Sequence, residues 1–198
     1  MKSNLKKILK SDLKVLKDLE KKTSWLSSWM IHNANNIRNS LDGLKVGGHQ
    51  ASSASIISIM TALYFYVLKK EDRVAVKPHA APVFHAIQYI FGNQSVDNLK
   101  SFRAYGGAQS YPSRTKDADD VDYSTGSVGL GGAITIFGSL IQDYLIDHKF
   151  VKSDFKPGKM IALLGDAELD EGNIYEALLE GAKQNVRNCW WVIDYNRQ

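Results

Sequence analysis

The chain of 198 residues has one cysteine, Cys189, so no disulfide can close within it. Its start carries no charged-then-apolar leader with a cleavage site, which together with the lone thiol points to a reducing cytosol. Only four prolines are present, which excludes a proline-rich linker or low-complexity chain. The longest apolar stretch, Val128 to Ile141, ends at Gln142 and Asp143, short of the ~20 residues that cross a bilayer. No membrane span is therefore expected. A basic patch with interleaved aromatics is also missing. The net charge of +4 comes from the first 22 residues, where eight lysines face Asp12, Asp18 and Glu20, leaving −1 for residues 23–198. The body is not expected to bind nucleic acid.

With 44% hydrophobic and 23% charged residues, the composition is that of an ordinary globular domain. A chain of this length buries roughly 70% of its unfolded surface without a staple. Residues 1–22 read as a basic amphipathic arm, with Leu5, Ile8, Leu9, Leu13, Leu16 and Leu19 at helical spacing among lysines. It is either a surface helix lying on the body or a docking arm for a partner. Residues 23–198 form the main domain. A second helix is expected from Thr23 to Asn39. The segment Gly47-Gly48-His49-Gln50-Ala51-Ser52 then leads into a long buried helix carrying Ile56, Ile57, Met60 and Leu63. Arg73 to Val76 reads as a short strand and His79 to Phe91 as a helix with Pro82 in its first turn. Gly106 to Asp122 is a long loop, a length that is uncommon unless the loop has work to do. Its acidic run Asp117 to Asp122 lacks the glycine and glutamate of a calcium hand, with Asp122 and Val128 at those positions. Ser127-Val128-Gly129-Leu130-Gly131-Gly132 opens a further helix to about His148.

The C-terminal end of the chain predicts a β-α-β unit: strand Met160 to Leu164, helix Gly172 to Gln184, strand Cys189 to Asp194. Both strands are continuously apolar, so both are expected to be buried on two faces of an α/β layered parallel sheet flanked by helices. The crossover is right-handed, so the two strands end side by side, where ligands of open α/β sheets bind. Asp166 follows the first strand and Asn196 the second, about thirty positions apart. A carboxylate, an amide oxygen and a backbone carbonyl suit magnesium that keeps its other positions for phosphate oxygens and water. Taken alone, an acidic residue after a strand more often caps a helix.

Four ordered motifs carry a resemblance that covers nearly everything from Ser28 to Gln198. Gly47-Gly48-His49-Gln50-Ala51-Ser52, Pro78-His79-Ala80-Ala81-Pro82, Ser127-Val128-Gly129-Leu130-Gly131 and Gly165-Asp166-Ala167-Glu168 followed by Asn196 resemble the diphosphate-binding half of thiamine diphosphate enzymes of the transketolase superfamily. The closest likeness is to the homodimeric type of pyruvate dehydrogenase E1 component. The resemblance implies Asp166 and Asn196 as magnesium ligands, with Gln198 adding its backbone carbonyl. It implies Ser52, Gly165, Ala167 and Glu168 near the diphosphate, and Val128 with Gly129 beside the cofactor. His49 and His79 would stand over the thiazolium as catalytic groups, where an imidazole titrating near pH ~6.5 can donate or accept a proton. Lys77 stands where the E1 type has glutamine, and a cation there can contact diphosphate. His32, His85 and His148 match no motif and read as ordinary core or surface histidines.

Ala167 replaces the signature's second glycine, which is tolerable only if its φ is negative. The glutamate that holds a proton on the aminopyrimidine belongs, in this superfamily, to a separate pyrimidine-binding domain, and no segment here resembles it. The expected partner is that domain, on the rest of a longer chain or on a second subunit, in a homodimer or a split heterotetramer. The implied activity is thiamine diphosphate- and magnesium-dependent decarboxylation of pyruvate or another 2-oxo acid with acyl transfer to lipoamide, which would add the lipoyl acyltransferase E2 as a partner. Transketolase-type ketol transfer between sugar phosphates and a non-catalytic truncated binding module are the alternatives.

Overall fold

The computed structural model describes residues 9–40 and 43–197. Three parallel strands, β1 (Arg73–Ala75), β2 (Met160–Gly165) and β3 (Cys189–Asp194), lie in the order β1-β2-β3. Arg73 pairs with Met160, and β2 runs against β3 from Met160 opposite Cys189 to Gly165 opposite Asp194. The unalternating Met-Ile-Ala-Leu-Leu-Gly sequence of β2 fits its place: all six residues are buried.

The strands sort their side chains by period two. Val74, Val76, Ile161 and Leu163 join Ile56, Ile57, Met60, Val83, Phe84 and Ile87, which come from α3 (Ile57–Ala62), α4 (Ala81–Phe91) and the residue before α3. Ala75, Ala162 and Leu164 form the opposite core with Ile174 of α7 (Gly172–Lys183), beneath α6 (Leu130–Asp147). Close approach of α6 depends on Gly132, since a Cβ there would come within 2.6 Å of Ile174 and 3.1 Å of Trp191.

Several sequence expectations are corrected. β3 is not buried on both faces: it is the edge of the sheet among the described residues, most of it is half-buried, and Trp190 is exposed with the Lys159 ammonium over its ring. Apolar composition does not tell a central strand from an edge one. The first two helices are one, α1 (Lys10–His32), which continues into a π-helical turn at Asn33–Ile37. No glycine or proline stands at the 22/23 boundary to stop it. Leu26, Met30 and Ile31 of its second half are buried, whereas Leu9, Leu13 and Val15 remain exposed; Leu5 and Ile8 lie outside the described residues.

The long helix expected after His49 is broken into α2 (Gln50–Ala54), α3 and a π-helical turn at Leu63–Val67. The break falls at Ser55 and Ile56, where the Ser55 hydroxyl reaches across to Asp194 at 2.6 Å. By length and composition Gln50–Val67 would suffice to cross a membrane, but Ile56, Ile57, Met60 and Leu63 belong to the core. A short helix not expected from periodicity, α5 (Val96–Lys100), is capped by Ser95, whose hydroxyl accepts from the Asn98 N–H.

Candidate functional site

β2 and β3 end level, with Gly165 opposite Asp194, so the segments that leave them start as neighbours. After β2, Asp166 precedes a 3-10 turn, Ala167–Asp170. After β3 the chain bends through Arg197, a non-glycine residue at φ 58°, and its backbone N–H donates to Asp166 Oδ2 at 2.8 Å. That bond ties the two strand-end segments together. The Asn196 amide Nδ2 donates to Ser55 Oγ at 3.1 Å and lies 3.4 Å from Asp194 Oδ2. Gln198 lies outside the described residues.

A cavity of about 350 Å³ opens at these strand ends. It is lined by Asp166, Ala167, Glu168, Glu171 and Gly165 from the β2 side, Asn196 from the β3 side, Ser127, and His49, Ser52, Lys77 and His79 from the other layer. His49 immediately precedes α2, and His79 lies in the 3-10 turn Pro78–Ala80 that leads into α4. Their ring centroids are 4.4 Å apart, and Tyr111 of the long loop meets His79 edge-on at 6.2 Å. The Ser53 hydroxyl donates to the His79 carbonyl at 3.3 Å. Burial, then the neighbouring His49, Lys77 and Arg103, holds His79 below its ordinary pKa. Near neutral pH its imidazole is uncharged and can either give or take a proton.

Lys77 is buried beneath the cavity, with its ammonium 2.6 Å from Asp194 Oδ2. The Glu168 carboxylate accepts from the backbone N–H groups of Gly129 and Gly165, at 3.2 and 3.3 Å, and so joins the start of α6 to the end of β2. Burial raises its pKa, opposed by those two hydrogen bonds and by Lys77. Ala167 opens a right-handed turn and is not among the positive-φ residues, so the condition for replacing glycine there is met.

Most of the residues singled out in the sequence thus converge. Val128 and Gly129 do not line the cavity: Val128 is exposed, its carbonyl held by Asn173 at 2.7 Å, and Gly129, at φ 77°, caps α6. Sequence reasoning missed Ser55, Glu171 and Asp194, and it quoted Ser127 only as the first residue of its motif. Asp194 carried a usable signal, being a carboxylate at the end of an otherwise apolar strand. Ser55 carried none, since only tertiary structure brings it to the end of β3. A larger depression, about 700 Å³, lies along α6 around Leu140, Ile141 and Tyr144, and its only charged lining residues are Asp143 and Asp147.

Among the described residues, His85, Asp117 and Asp119 bring ligand atoms within 4.8 Å of one another, close enough to share a cation. Those atoms are already engaged. Asp119 takes His85 Nδ1 and the Gln94 amide, and Asp117 takes the backbone N–H groups of Gln109 and Ser113. The strand-end cavity has the donor set that suits magnesium: a half-buried carboxylate at Asp166 and an amide at Asn196, with Glu168 and Glu171 beside them. Its volume falls within the ~300–1,000 Å³ of small-molecule sites. These residues fit a magnesium diphosphate.

No protein-family model matches the chain. It is 30% identical over 185 residues to the pyruvate dehydrogenase E1 component of Cupriavidus necator, covering 89% of this chain and 20% of that protein. It is 27% identical over 179 residues to the 6-deoxy-6-sulfo-D-fructose transketolase subunit SqwG of Clostridium sp., covering 84% of this chain and 62% of that one. The fold matches transketolase from Campylobacter jejuni at a TM-score of 0.73 and 21% identity, over 91% of this chain and 28% of that one. The sequence is similar to pyruvate dehydrogenase E1 and transketolase-like proteins and the fold to transketolases, which fits the diphosphate-binding half of the transketolase superfamily. In sequence the chain is close to the pyruvate dehydrogenase E1 components. It spans about a fifth of the length of the E1 relatives.

Proposed function

We propose that this chain supplies the magnesium- and thiamine diphosphate-binding half of a 2-oxo acid dehydrogenase E1-type enzyme, which decarboxylates pyruvate or a related 2-oxo acid and passes the acyl group to lipoamide. The observation that carries the reading is the meeting of His49, His79, Asp166 and Asn196, drawn from three separated motifs, around one cavity. Asp166 and Asn196, with the carbonyl of Gln198, would hold magnesium, and Ser52, Gly165, Ala167 and Glu168 would lie along the diphosphate. When bound, thiamine diphosphate supplies the carbon nucleophile that adds to the substrate carbonyl. His79, kept neutral by burial and by the cations around it, is suited to moving a proton at the substrate oxygen. His49, its ring tilted against that of His79, would orient the substrate's carbonyl or carboxylate.

Transketolase-type ketol transfer is the second reading, favoured by the similarity to a transketolase subunit over 62% of its length. Both readings call for a pyrimidine-binding partner, on a longer chain or a second subunit. Exposed Phe137, Ile141 and Tyr144 on α6, with Tyr175, Leu178 and Leu179 on α7, suit a protein surface of that kind. The proposed compartment is the cytosol.

The test is a titration of thiamine diphosphate with and without magnesium, followed by tryptophan fluorescence, since Trp190 and Trp191 lie on β3. The lining residues include one cation of permanent charge, Lys77, and it is paired with Asp194. Diphosphate should therefore bind at least about tenfold more tightly with the metal, ~1.4 kcal/mol. Asp166→Ala should abolish that difference with the circular dichroism spectrum unchanged. Equal affinities with and without magnesium would overturn the reading.

A further inference from the structure

Three elements converge on one carboxylate oxygen at the floor of the cavity. Asp194 Oδ2, at the end of β3, accepts from Lys77 Nζ at 2.6 Å and from Ser55 Oγ at 2.6 Å. The same oxygen lies 3.4 Å from Asn196 Nδ2, which also donates to Ser55 Oγ at 3.1 Å. The Lys77 and Asp194 side chains are 4% and 5% exposed, so neither charge is answered by water. A buried ion pair is an expensive way to stabilise a fold, since apolar residues of similar volume usually serve as well. What it provides here is a direction. An ionised carboxylate can only accept, so the amide of Asn196 has to present Nδ2 to it, which turns Oδ1 to the opposite side.

We infer that Lys77 and Asp194, acting with Ser55, are positioning residues that set the rotation of the Asn196 amide, so that its oxygen and not its NH2 group is offered to the cation. Lys77 thereby acts through Asp194 and not on the diphosphate. The inference rests on the magnesium site proposed above. A half-turn of the amide would place two N–H donors where an oxygen ligand is required, and an NH2 group does not ligate magnesium. Lys77 supplies the opposite charge that a buried carboxylate needs, and Ser55 bridges by donating to Asp194 while accepting from Asn196. Residues that orient a metal ligand in this way typically contribute 10- to 100-fold to metal affinity.

The experiment measures manganese uptake by the chain in the presence of thiamine diphosphate, from the electron paramagnetic resonance signal of free Mn²⁺, alongside thermal unfolding. Two variants test the relay: Ser55→Ala, which leaves the ion pair whole, and the double variant Lys77→Met with Asp194→Leu, which leaves no lone buried charge. Asp166→Ala serves as the control for the site itself. The double variant is expected to bind Mn²⁺ roughly 10- to 100-fold more weakly. Ser55→Ala should bind it several-fold more weakly, with an unfolding midpoint near that of the unaltered chain. If the double variant fails to fold, Ser55→Ala decides. Unchanged Mn²⁺ affinity in the folded relay variants, with loss in Asp166→Ala, would overturn the positioning role and leave the metal site standing. If the unaltered chain takes up no Mn²⁺, the site reading fails and the inference falls with it.

Discussion

His79 and His85 flank Pro82 at the start of the same helix, yet the structure puts opposite demands on them. His79 lies at the edge of the cavity beside His49, Lys77 and Arg103, and burial together with those neighbours pushes its pKa down. His85 is fully buried; burial opposes its charge, but the hydrogen bond and charge of Asp119, the charge of Asp117 and the Gln109 carbonyl outweigh it and push its pKa up. Its Nδ1 faces Asp119 and its Nε2 the Gln109 carbonyl at 2.9 Å, so both nitrogens meet acceptors, an arrangement that favours the charged imidazolium. The difference lies in what the loop around residues 109–119 brings to each. It offers His85 carboxylates and a carbonyl, and it offers His79 only the ring of Tyr111. One histidine is thus a fastening between α4 and that loop, and the other is available for proton transfer.

Breaking the fastening should have the largest effect. His85→Ala or Asp119→Ala leaves a buried charge without its partner, and each is expected to lower stability by about 3–5 kcal/mol in urea unfolding. The double variant His85→Phe with Asp119→Leu, which removes both charges, should recover much of that loss. A loss equally large in the double variant would mean that packing, not charge, holds the loop.

At the cavity, His79→Ala in the assembled enzyme should lower kcat by ~10² with little change in cofactor affinity or unfolding midpoint, the usual worth of a general acid or base. If kinetics are unchanged and the protein melts several degrees lower, His79 belongs with His85 as a structural residue.

The smallest effect is also the sharpest separation of the two. In an NMR titration of ring-labelled histidines, His79 should titrate below ~6.5 and His85 above it. The linkage signs follow. The stabilisation from His85 is fully present below pH ~6.5 and is lost as pH rises through its raised folded value. For His79 the unfolded chain binds the proton more readily, so its contribution is present above ~6.5 and is lost as pH falls through its lowered folded value. His85→Phe should therefore remove a stability component that fades toward alkaline pH. His79→Phe should remove one that fades toward acid.

How much of this was legible before folding depended on the range of the interaction. The β3 limits, Cys189 to Asp194, matched the alternation-free apolar run, and α6 began where its glycine motif placed it. The break at Ser55 was not legible, because the apolar helical pattern runs on through Ile56, Met60 and Leu63, and the Asp194 carboxylate that Ser55 meets lies far along the chain. Burial of β3 was overread, since an apolar run is the same whether a strand has two neighbours or one. Lys77 was read as a cation that can contact diphosphate; that it lies buried against Asp194, a carboxylate far along the chain, was not legible.

Order and spacing along the chain were enough to determine the parallel β-α-β unit, the level strand ends and the nearness of Asp166 to Asn196, because motifs at strand ends are placed by local geometry and by the handedness of the crossover, whereas the arrival of His49 and His79 beside them was implied by the family resemblance. Which of those groups carries charge, and which way an amide faces, was decided only by tertiary structure. Charge state and amide rotation depend on the dielectric and on hydrogen-bond partners within a few ångströms, and here those partners, Asp194 for Lys77 and Asp119 for His85, come from other elements of the fold.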